Sequence, residues 1–447
     1  MPKRVLMLSW EYPPRIIGGL ARVVWALSRE LVKTGCEVHV VTADHPGQPE
    51  HEIADGVHIH RVKTQTDTTP DFLGWVNRLN FGLLQYAIQI HRQTPFDIIH
   101  AHDWMVADAA WVMKTGFGIP FVATMHATES GRMHGIHNDL QSYIHQMEWR
   151  LTFEAWEVIV NSNSMHEELQ RSFKMPSDKI VIIPNGTDPD VFDFEYNNHA
   201  MRSKYARDQE QIILYVGRMV REKGVQVLLD AAPRVLSERP GTQFLMVGTG
   251  YYLEDLKRQA WQNGVGENCH FLGYVGDAEL LELYKCADVV CIPSLYEPFG
   301  IVALEGMAAQ VPVVTSDVGG LKDFVENMET GVTTYAGDAS SLAWGLLQVL
   351  RNPELAQRLR ETGYDKVKHI YNWKVIASRT YEVYQKVLNE ANMQKASAEV
   401  VAQEVGEDPV DFASSPKAAE SKVTVNAAPK EKTTALAKDV KATKSKK

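Results

Sequence analysis

Ile212-Ile-Leu-Tyr-Val-Gly-Arg218 is a continuous apolar run that ends in a glycine and a cation. It opens a series of similar runs at Phe244–Val247, Val289–Ile292 and Val311–Thr315, with helical patterns between them. Apolar strands that alternate with helices are typical of parallel sheets covered by helices on both faces. This part of the chain is therefore predicted to be Rossmann-like.

An earlier series of the same kind occupies the first part of the chain. Helical patterns such as Ala21–Lys33 and Trp104–Lys114 lie between its strands. The predicted strands are Val5–Leu8, Val38–Thr42, Ile98–Ala101, Phe121–Thr124 and Val158–Asn161. Two such series imply an α/β protein with two Rossmann-like halves. Because open α/β sheets bind ligands at the carboxyl ends of their strands, the cleft between the halves is the predicted site.

The segments outside the strand–helix series set the predicted domain boundaries. Pro184-Asn-Gly-Thr-Asp188 and the polar residues up to Gln211 form the predicted connector. Residues 1–188 are thus the predicted N-terminal domain and residues 189–373 the predicted C-terminal domain, and an amphipathic helix over 374–392 follows them.

The last segment, residues 393–447, is rich in lysine and alanine and has Phe412 as its one aromatic residue. Such a composition buries too little apolar surface to offset the entropy of ordering, so a disordered tail is predicted. A solubilising role and a weak tether to an anionic partner both stay open.

Composition excludes several classes of protein. The chain is 45% hydrophobic and carries a net charge of −10, so no overall field would attract nucleic acid or an anionic membrane. Its four cysteines lack metal-type spacing, and Glu11 interrupts the one signal-like start. No apolar run approaches the roughly 18 residues of a membrane span. A cytoplasmic protein is predicted, with no nucleic-acid partner and no stable membrane insertion.

Two cations follow directly after the strand Ile212–Val216. Arg218 and Lys223 stand where ligands bind in this class of fold. They could neutralise a departing diphosphate, which gains negative charge when a glycosyl phosphate bond breaks. A plain surface pair on a loop is the alternative.

Two carboxylates flank a turn and a helix-forming run in Glu297-Pro-Phe-Gly-Ile-Val-Ala-Leu-Glu305. Ionised carboxylates accept several hydrogen bonds from hydroxyl-rich ligands, and the N–H groups at the start of a helix can hold phosphate. The stretch therefore fits a clamp for a nucleotide sugar. It equally fits a helix start with one favourable acid and one solvated acid.

Three further positions follow strands of the first half. Gly18-Gly19 would let backbone N–H groups approach a phosphate or sugar, or serve as an ordinary loop. His126 could contact a sugar hydroxyl or cap its own loop. His100-Ala-His102-Asp103-Trp104 is interpreted as a loop whose Asp103 and Trp104 face the cleft, with a metal site as the weaker interpretation.

Together these stretches resemble the retaining family 4 glycosyltransferases of the GT-B superfamily, which are related to glycogen and starch synthase-like enzymes. The resemblance covers about residues 1–390, and its parts run in the family's order. They are Ser9-Trp-Glu-Tyr-Pro-Pro14 with Gly18-Gly19, His102-Asp103, Pro184-Asn-Gly-Thr-Asp188, Gly217-Arg218 with Lys223-Gly224, Glu297-Pro-Phe-Gly300 with Leu304-Glu305, and Val318-Gly-Gly320.

The resemblance implies a donor-binding C-terminal domain, an acceptor-binding N-terminal domain and a final helix that crosses back onto the latter. It implies that Arg218 and Lys223 bind the diphosphate, that Glu305 holds the ribose and that Glu297 contacts the donor sugar. The backbone after Glu297 would also contact the donor, which assigns Phe299, Gly300 and Ile301 to the donor side.

On the other side of the cleft, the resemblance places His126 beside the transferred sugar and Gly18-Gly19 near the phosphates. Asp103 is assigned to the acceptor side, and the stretch Glu129–Arg150 could shape the choice of acceptor. No metal and no cofactor are expected, because in such enzymes cations and helix dipoles replace a divalent ion.

Three positions depart from glycogen and starch synthases. Ile16 occupies the place of a lysine, Phe299 that of a cysteine, and Asp323 that of a glutamate. The first two differences favour a related enzyme over a standard glycogen synthase.

The predicted function is transfer of a sugar from a nucleotide diphosphate donor to a saccharide or other hydroxyl acceptor, with retention of anomeric configuration. No carboxylate nucleophile emerges, so attack on the face of the leaving group is favoured. Glucose from ADP or UDP is the leading donor, on resemblance alone. The alternatives are an α-glucan synthase, a nucleotide-sugar epimerase and a non-catalytic sensor. The sequence leaves open the donor, the acceptor, the oligomeric state and the role of the tail.

Overall fold

A computed structural model describes residues 3–64, 71–195 and 197–405, with side chains up to residue 397. Residues 1–394 form one compact unit. A second unit, residues 395–447, contributes the end of the last helix. Most of the tail predicted to be disordered, residues 406–447, lies outside the described residues.

The strands follow one another as the alternating pattern predicts. Their bounds are β1 (Arg4–Leu8), β2 (Glu37–Ala43), β3 (His51–Ala54), β4 (Val57–Val62), β5 (Ile98–His102), β6 (Phe121–Met125), β7 (Glu157–Val160), β8 (Ile180–Ile182), β9 (Ile212–Val216), β10 (Gln243–Val247), β11 (Cys269–Gly273), β12 (Val289–Ile292), β13 (Val313–Ser316) and β14 (Val332–Thr334).

Helices connect most of these strands. They are α1 (Gly19–Lys33), α2 (Phe72–Gln93), α3 (Ala107–Phe117), α4 (Glu129–Arg132), α5 (Asp139–Glu154), α6 (Asn163–Phe173), α7 (Asn198–Arg202), α8 (Val225–Glu238), α9 (Leu253–Gln262), α10 (Asp277–Cys286), α11 (Ile301–Ala308), α12 (Ala339–Arg351), α13 (Pro353–His369) and α14 (Trp373–Val405). Within the described residues, every helix is too short or too polar to span a bilayer.

The strands form two separate sheets, as predicted. In the described chain the first sheet has the order β3-β4-β2-β1-β5-β6-β7-β8 and the second the order β11-β10-β9-β12-β13-β14. Except for the antiparallel pair β3–β4, neighbouring strands are parallel. Both sheets pack apolar helices against their faces, which is why their central strands read as unbroken apolar runs. We call the parts built on them the first and second lobes.

The apolar-run pattern found the central strands and missed five others. β9 and β12 have the predicted bounds, whereas β3, β4, β8, β11 and β14 were not predicted. β8 and β14 are only three residues long, and β3 and β4 contain histidines and charged residues. Short length in β8 and β14 and interrupted hydrophobicity in β3 and β4 both weaken the continuous apolar signal used for prediction.

The chain passes between the lobes twice, at neighbouring points. Thr187, in the predicted connector, donates its N–H to the carbonyl of Tyr371 at 2.8 Å and forms a bridge with Asn372. A Cβ on Gly186 would lie 3.0 Å from the backbone nitrogen of Trp373, so the two passages are tightly packed. The polar segment beyond Asp188 is not a plain linker, because it contains α7.

The last helix returns to the first lobe, as the resemblance implied. Its Tyr384 is fully buried in the apolar core beside β1 and β2, and its hydroxyl lies 2.6 Å from Nδ1 of His100. Arg379 donates to the carbonyl of Ile182 at 2.7 Å. The helix continues to Val405, so it extends thirteen residues past its predicted end at 392, into the segment predicted to be disordered.

Candidate functional site

Lys223 lies in the turn after β9 and faces Glu297. Its Nζ is 2.7 Å from Oε2 of Glu297, and Ser294 donates its hydroxyl to the same oxygen at 3.0 Å. The backbone holds the two loops together, because the N–H of Tyr296 donates to the carbonyl of Glu222 at 3.2 Å. The predicted cation and the predicted acid therefore form one ion pair at the carboxyl end of a central strand.

Glycines allow these loops to approach so closely. Gly224 has a φ of 72°, and a Cβ there would lie 1.8 Å from the carbonyl oxygen of Pro293. Gly319 has a φ of 52°, and a Cβ there would lie 1.9 Å from the carbonyl oxygen of Glu297. That oxygen also accepts the N–H of Gly320 at 2.9 Å. A side chain at either position would force the Glu297 loop out of place.

Arg218 follows the same strand but does not contact the pair. Its guanidinium lies 3.5 Å from Oε1 of Glu222, and its side chain is 48% exposed. The structure thus brings Lys223 to Glu297 and leaves Arg218 beside them with a solvent-accessible charge.

Glu305 lies one helical turn inside α11 and has partners from both lobes. Tyr284 donates to its Oε2 at 2.6 Å, and Arg22 of α1 lies 3.3 Å from its Oε1. Arg22 also pairs with Asp277 at 2.8 Å. Burial raises the pKa of the Glu305 carboxyl, and the charge of Arg22 opposes this rise.

The residues of the turn between the two acids have different roles. Gly300, with a φ of 108°, caps α11, and Ile301 is the first residue of that helix. The side chain of Phe299 is 2% exposed and packs on Phe324 and Tyr371, with ring centroids 5.2 and 6.4 Å away. Only the backbone of Phe299 is therefore available to a ligand, and its contact with the donor stays a prediction.

A buried carboxylate shapes the Gly18-Gly19 loop opposite. Glu11 is 1% exposed and accepts the N–H groups of Ile17 at 2.7 Å and of Gly18 and Ala21 at 3.3 Å each. Burial raises the pKa of Glu11, although these hydrogen bonds oppose it. Glu11 thus uses N–H groups that a phosphate would otherwise bind at the start of α1.

The two lobes meet beside this loop. A Cβ on Gly19 would lie 3.2 Å from Cδ1 of Ile301, so the loop and the start of α11 are closely packed here. Further along the cleft, Ser162 donates its hydroxyl to the carbonyl of Pro298 at 2.7 Å. The loops of the predicted donor site are therefore in direct contact with the first lobe.

Asp103 and His126 stand together at the ends of β5 and β6. Asp103 has the unusual φ of 61°, and its Oδ1 accepts the N–H of His126 at 3.1 Å. Nε2 of His126 hydrogen-bonds Nδ1 of His102 at 3.1 Å. Burial lowers the pKa of His126 to about 4 and raises that of Asp103 to about 6. Backbone strain in a non-glycine residue is characteristic of functional sites.

One detail of the interpretation of this loop was wrong. Trp104 does not face the cleft, because it is 4% exposed and packs on Tyr143 in the core. The weaker interpretation, a metal site, is not supported at His100, because its two ring nitrogens lie 2.6 Å from the hydroxyls of Tyr384 and Thr124.

Glu148 is a buried acid behind α4. It is fully buried, and its Oε1 accepts the N–H of Glu129 at 2.8 Å, while Oε2 has no partner among the described residues. Burial raises the pKa of Glu148 to about 9. This carboxyl therefore carries a proton near neutral pH.

A cavity of about 530 Å³ opens between the lobes beside Glu297. Its walls combine polar and apolar groups and come from α4, α6 and the loops around Glu297 and Gly319. Its lining includes Ser130, His134, Ser164, Glu168, Arg171 and Tyr296. The predicted acceptor-shaping stretch Glu129–Arg150 contributes the first two of these residues.

Several polar residues at the cleft were missed from the sequence. These residues are Glu11, Arg22, Ser162 and Tyr284. Sequence spacing cannot reveal contacts between positions as far apart as Arg22 and Glu305, which are separated by 283 positions. Glu11 alone had a signal, because an acid shortly before a Gly-Gly loop can bind that loop's N–H groups.

Comparison with known proteins gives matches over most of the chain. Residues 17–191 match the model of Glycosyltransferase Family 4, and residues 197–366 match that of Glycosyl transferases group 1. The chain is similar to an uncharacterised glycosyltransferase of Methanocaldococcus jannaschii, with 39% identity over 388 residues, or 85% of this chain and 97% of that protein.

Two further proteins extend the comparison. A glycogen synthase of Mycobacterium tuberculosis is 34% identical over 398 residues, which are 85% of this chain and 94% of that protein. The structure of sucrose-phosphate synthase from Thermosynechococcus elongatus superposes with a TM-score of 0.75 and 25% identity, over 87% of this chain and all of that one.

Proposed function

The chain belongs to the group 1 and family 4 glycosyltransferases and has their GT-B architecture, and from this premise we propose which reaction it catalyses. It transfers a sugar, with glucose the first candidate, from a nucleotide diphosphate to a hydroxyl acceptor and retains the anomeric configuration. The ion pair between Lys223 and Glu297 is the observation that carries this proposal.

The pair supports a donor site because of where it lies. When the bond from the anomeric carbon to the phosphate oxygen breaks, negative charge develops on the diphosphate. Lys223 and Arg218, both at the end of β9, would stabilise that charge, as would the N-terminus of α11. Glu297 would accept hydrogen bonds from the sugar, and Glu305, eight residues on, would accept them from the ribose.

In the proposed step, the acceptor oxygen forms a bond to the anomeric carbon on the face from which the phosphate leaves. The leaving phosphate oxygen takes the acceptor's proton, and a nucleoside diphosphate departs. The protein's part is to position the two substrates, stabilise charge and exclude water. His126, which is uncharged at neutral pH, would donate to a sugar hydroxyl from the first lobe.

The acceptor is proposed to enter through the cavity beside Glu297. Its hydroxyl-rich wall, with Ser130 and Ser164, would suit a polyhydroxylated acceptor. Because these residues come from the first lobe and Glu297 comes from the second, this position would present the acceptor to the donor sugar across the cleft.

An α-glucan synthase is the second candidate. The 34% identity to a glycogen synthase favours it, whereas Ile16 and Phe299 depart from the pattern of the resemblance. We also propose that transfer needs no metal and no cofactor, since Arg218 and Lys223 can supply the positive charge.

A donor panel tests the proposal. Purified protein is incubated with ADP-, UDP- and GDP-sugars, with and without oligosaccharide and sugar-phosphate acceptors, and NMR records product anomers. We expect one donor to be consumed with retention, only in the presence of acceptor, and equally after EDTA treatment. Epimer formation without acceptor would identify an epimerase, and binding without turnover a sensor.

A further inference from the structure

A stack of histidines lies on one face of the first sheet, at the edge away from the cleft. Glu37 and His39 alternate along β2, and His58 and His60 alternate along β4. Side chains two residues apart on a strand share a face, so each pair points the same way. None of these residues entered the predicted site.

Strand pairing turns these two short patterns into one cluster. The parallel register of β2 and β4 sets His39 directly opposite His58, and the antiparallel register of β3 and β4 sets His51 opposite His60. The rings of His39 and His58 stack with centroids 4.4 Å apart, and those of His51 and His60 with centroids 4.6 Å apart. Further along the same face, the sheet is apolar.

We propose that Glu37, His39 and His58 bind a divalent transition-metal ion of the zinc class. One ligand atom from each residue lies within 4.8 Å of the others. A tetrahedral zinc ion with bonds of about 2.1 Å holds its ligands about 3.4 Å apart, so small side-chain rotations would complete the site. Nitrogen and carboxylate ligands suit zinc, and water would take the fourth position.

The hydrogen bond behind His39 supports this assignment. Nδ1 of His39 lies 3.1 Å from Nε2 of His60, so His39 can donate through Nδ1 and keep the lone pair of Nε2 for a metal. Metal-binding histidines usually donate their other ring N–H to a neighbouring acceptor, which fixes their tautomer and ring orientation.

The contacts of Nε2 of His39 are mismatched when no ion is bound. That nitrogen lies 2.9 Å from Oε1 of Glu37 and 3.1 Å from Nη2 of Arg4. If Nε2 carries a proton, that N–H and the Arg4 N–H are two donors facing each other. If Nε2 carries no proton, its lone pair and the Glu37 carboxylate are two acceptors facing each other. A cation bound by both Nε2 and the carboxylate removes the second mismatch, so Arg4 and the metal ion compete for Glu37.

The proposed ion would not take part in sugar transfer. Glu37 and Arg4 begin their parallel strands, whereas Gly18, Asp103 and His126 follow the carboxyl ends of the strands in the same sheet. The ion would instead join β2 to the outer strand β4, and its role would be structural. The inference therefore stands independently of the proposed function.

Zinc binding to the tag-free, EDTA-treated full chain tests the proposal. Calorimetric titration with ZnCl2 should show one tight site, and the melting temperature should rise with Zn2+ but not with Mg2+. Glu37→Gln, which keeps the shape of a partly exposed side chain, and His58→Ala should each weaken this binding at least tenfold. His369→Ala, on an exposed histidine of α13, is the matched control and should bind as wild type does.

Two results would overturn the proposal. One is wild-type protein that takes up no Zn2+; the other is equal Zn2+ affinity in wild type and Glu37→Gln, which would place the bound ion elsewhere. Arg4→Gln tests the competition separately, because removal of the guanidinium should tighten Zn2+ binding severalfold. Weaker binding in that variant would mean that Arg4 supports the cluster.

Discussion

The two walls of the cleft differ in the charge of the polar side chains nearest the proposed substrates. On the second lobe, Lys223 and Glu297 form an ion pair, and Arg218 beside them is half exposed. On the first lobe, burial keeps His126 uncharged, with a pKa lowered to about 4, and keeps a proton on Glu148 behind it. The charged groups of the second lobe suit a diphosphate, whereas an uncharged group such as His126 suits hydroxyl groups, and Glu168 and Arg171 of the first lobe add charge to the cavity beside Glu297. The difference supports donor binding by the second lobe and acceptor binding by the first.

Lys223→Ala should have the largest effect. Loss of one preorganised group that stabilises developing charge typically costs about 10²–10³-fold in turnover, and Glu297 would also lose its ion-pair partner and keep only the hydroxyl of Ser294 among the described side chains. We expect kcat/KM for the donor to fall by that factor while the melting curve stays cooperative. Lys257→Ala, on an exposed lysine paired with Glu254, is the control. Near wild-type turnover in Lys223→Ala would contradict the proposal that Lys223 stabilises the departing diphosphate.

His126→Asn tests the uncharged histidine of the first lobe. Loss of a hydrogen bond in a buried site costs roughly 1–3 kcal/mol, so transfer should fall about 5- to 150-fold. Because His126 is uncharged above a pH of about 4, its titration should add no limb to the pH profile of wild-type kcat between pH 5 and 9. Steady-state rates over this range, with His369→Asn on an exposed histidine of α13 as the control, decide the point. A wild-type limb near pH 6.5 that His126→Asn abolishes would show that His126 gains its charge in the working range.

Glu148→Gln should change stability more than activity. The folded carboxyl keeps its proton up to a pH of about 9, while the unfolded one ionises near 4.5. The stability that the protonated group provides is therefore lost as pH rises from 4.5 through 9. Glutamine carries no charge, so we expect the variant to exceed wild type by roughly 1–2 kcal/mol at pH 9 and to match it near pH 5. Urea unfolding at both pH values measures this difference. If the stability of wild type and of Glu148→Gln depends equally on pH, the raised pKa of Glu148 is refuted.

Removal of residues 406–447 should have the smallest effect. All the residues placed at the cleft precede the last helix, and that helix packs on the first lobe through residues such as Ile376 and Leu388. We expect kcat/KM within twofold of the full chain in the same donor assay. A loss above tenfold would mean that the tail contributes to one of the walls.

The sequence was informative where a signal is local. The central strands are continuous apolar runs because both faces of a parallel sheet are covered, so β9 and β12 were predicted with their observed bounds. The strands β3 and β4 carry histidines on the face that a core strand would fill with apolar side chains, and they were missed. Lys223 and Glu297 were predicted as cleft residues from motifs, but their direct contact was not.

By itself, then, the sequence determined the α/β class, the two strand–helix series and the identity of the glycines, acids and cations that follow the strands. Hydrophobic periodicity and turn chemistry act over a few residues, and that range suffices for these features. Only the tertiary structure decided that Arg22 reaches Glu305, that Glu11 holds the Gly18-Gly19 loop and that Glu37, His39 and His58 converge. Such contacts depend on sheet register and on the approach of the two lobes, which no short stretch of sequence specifies.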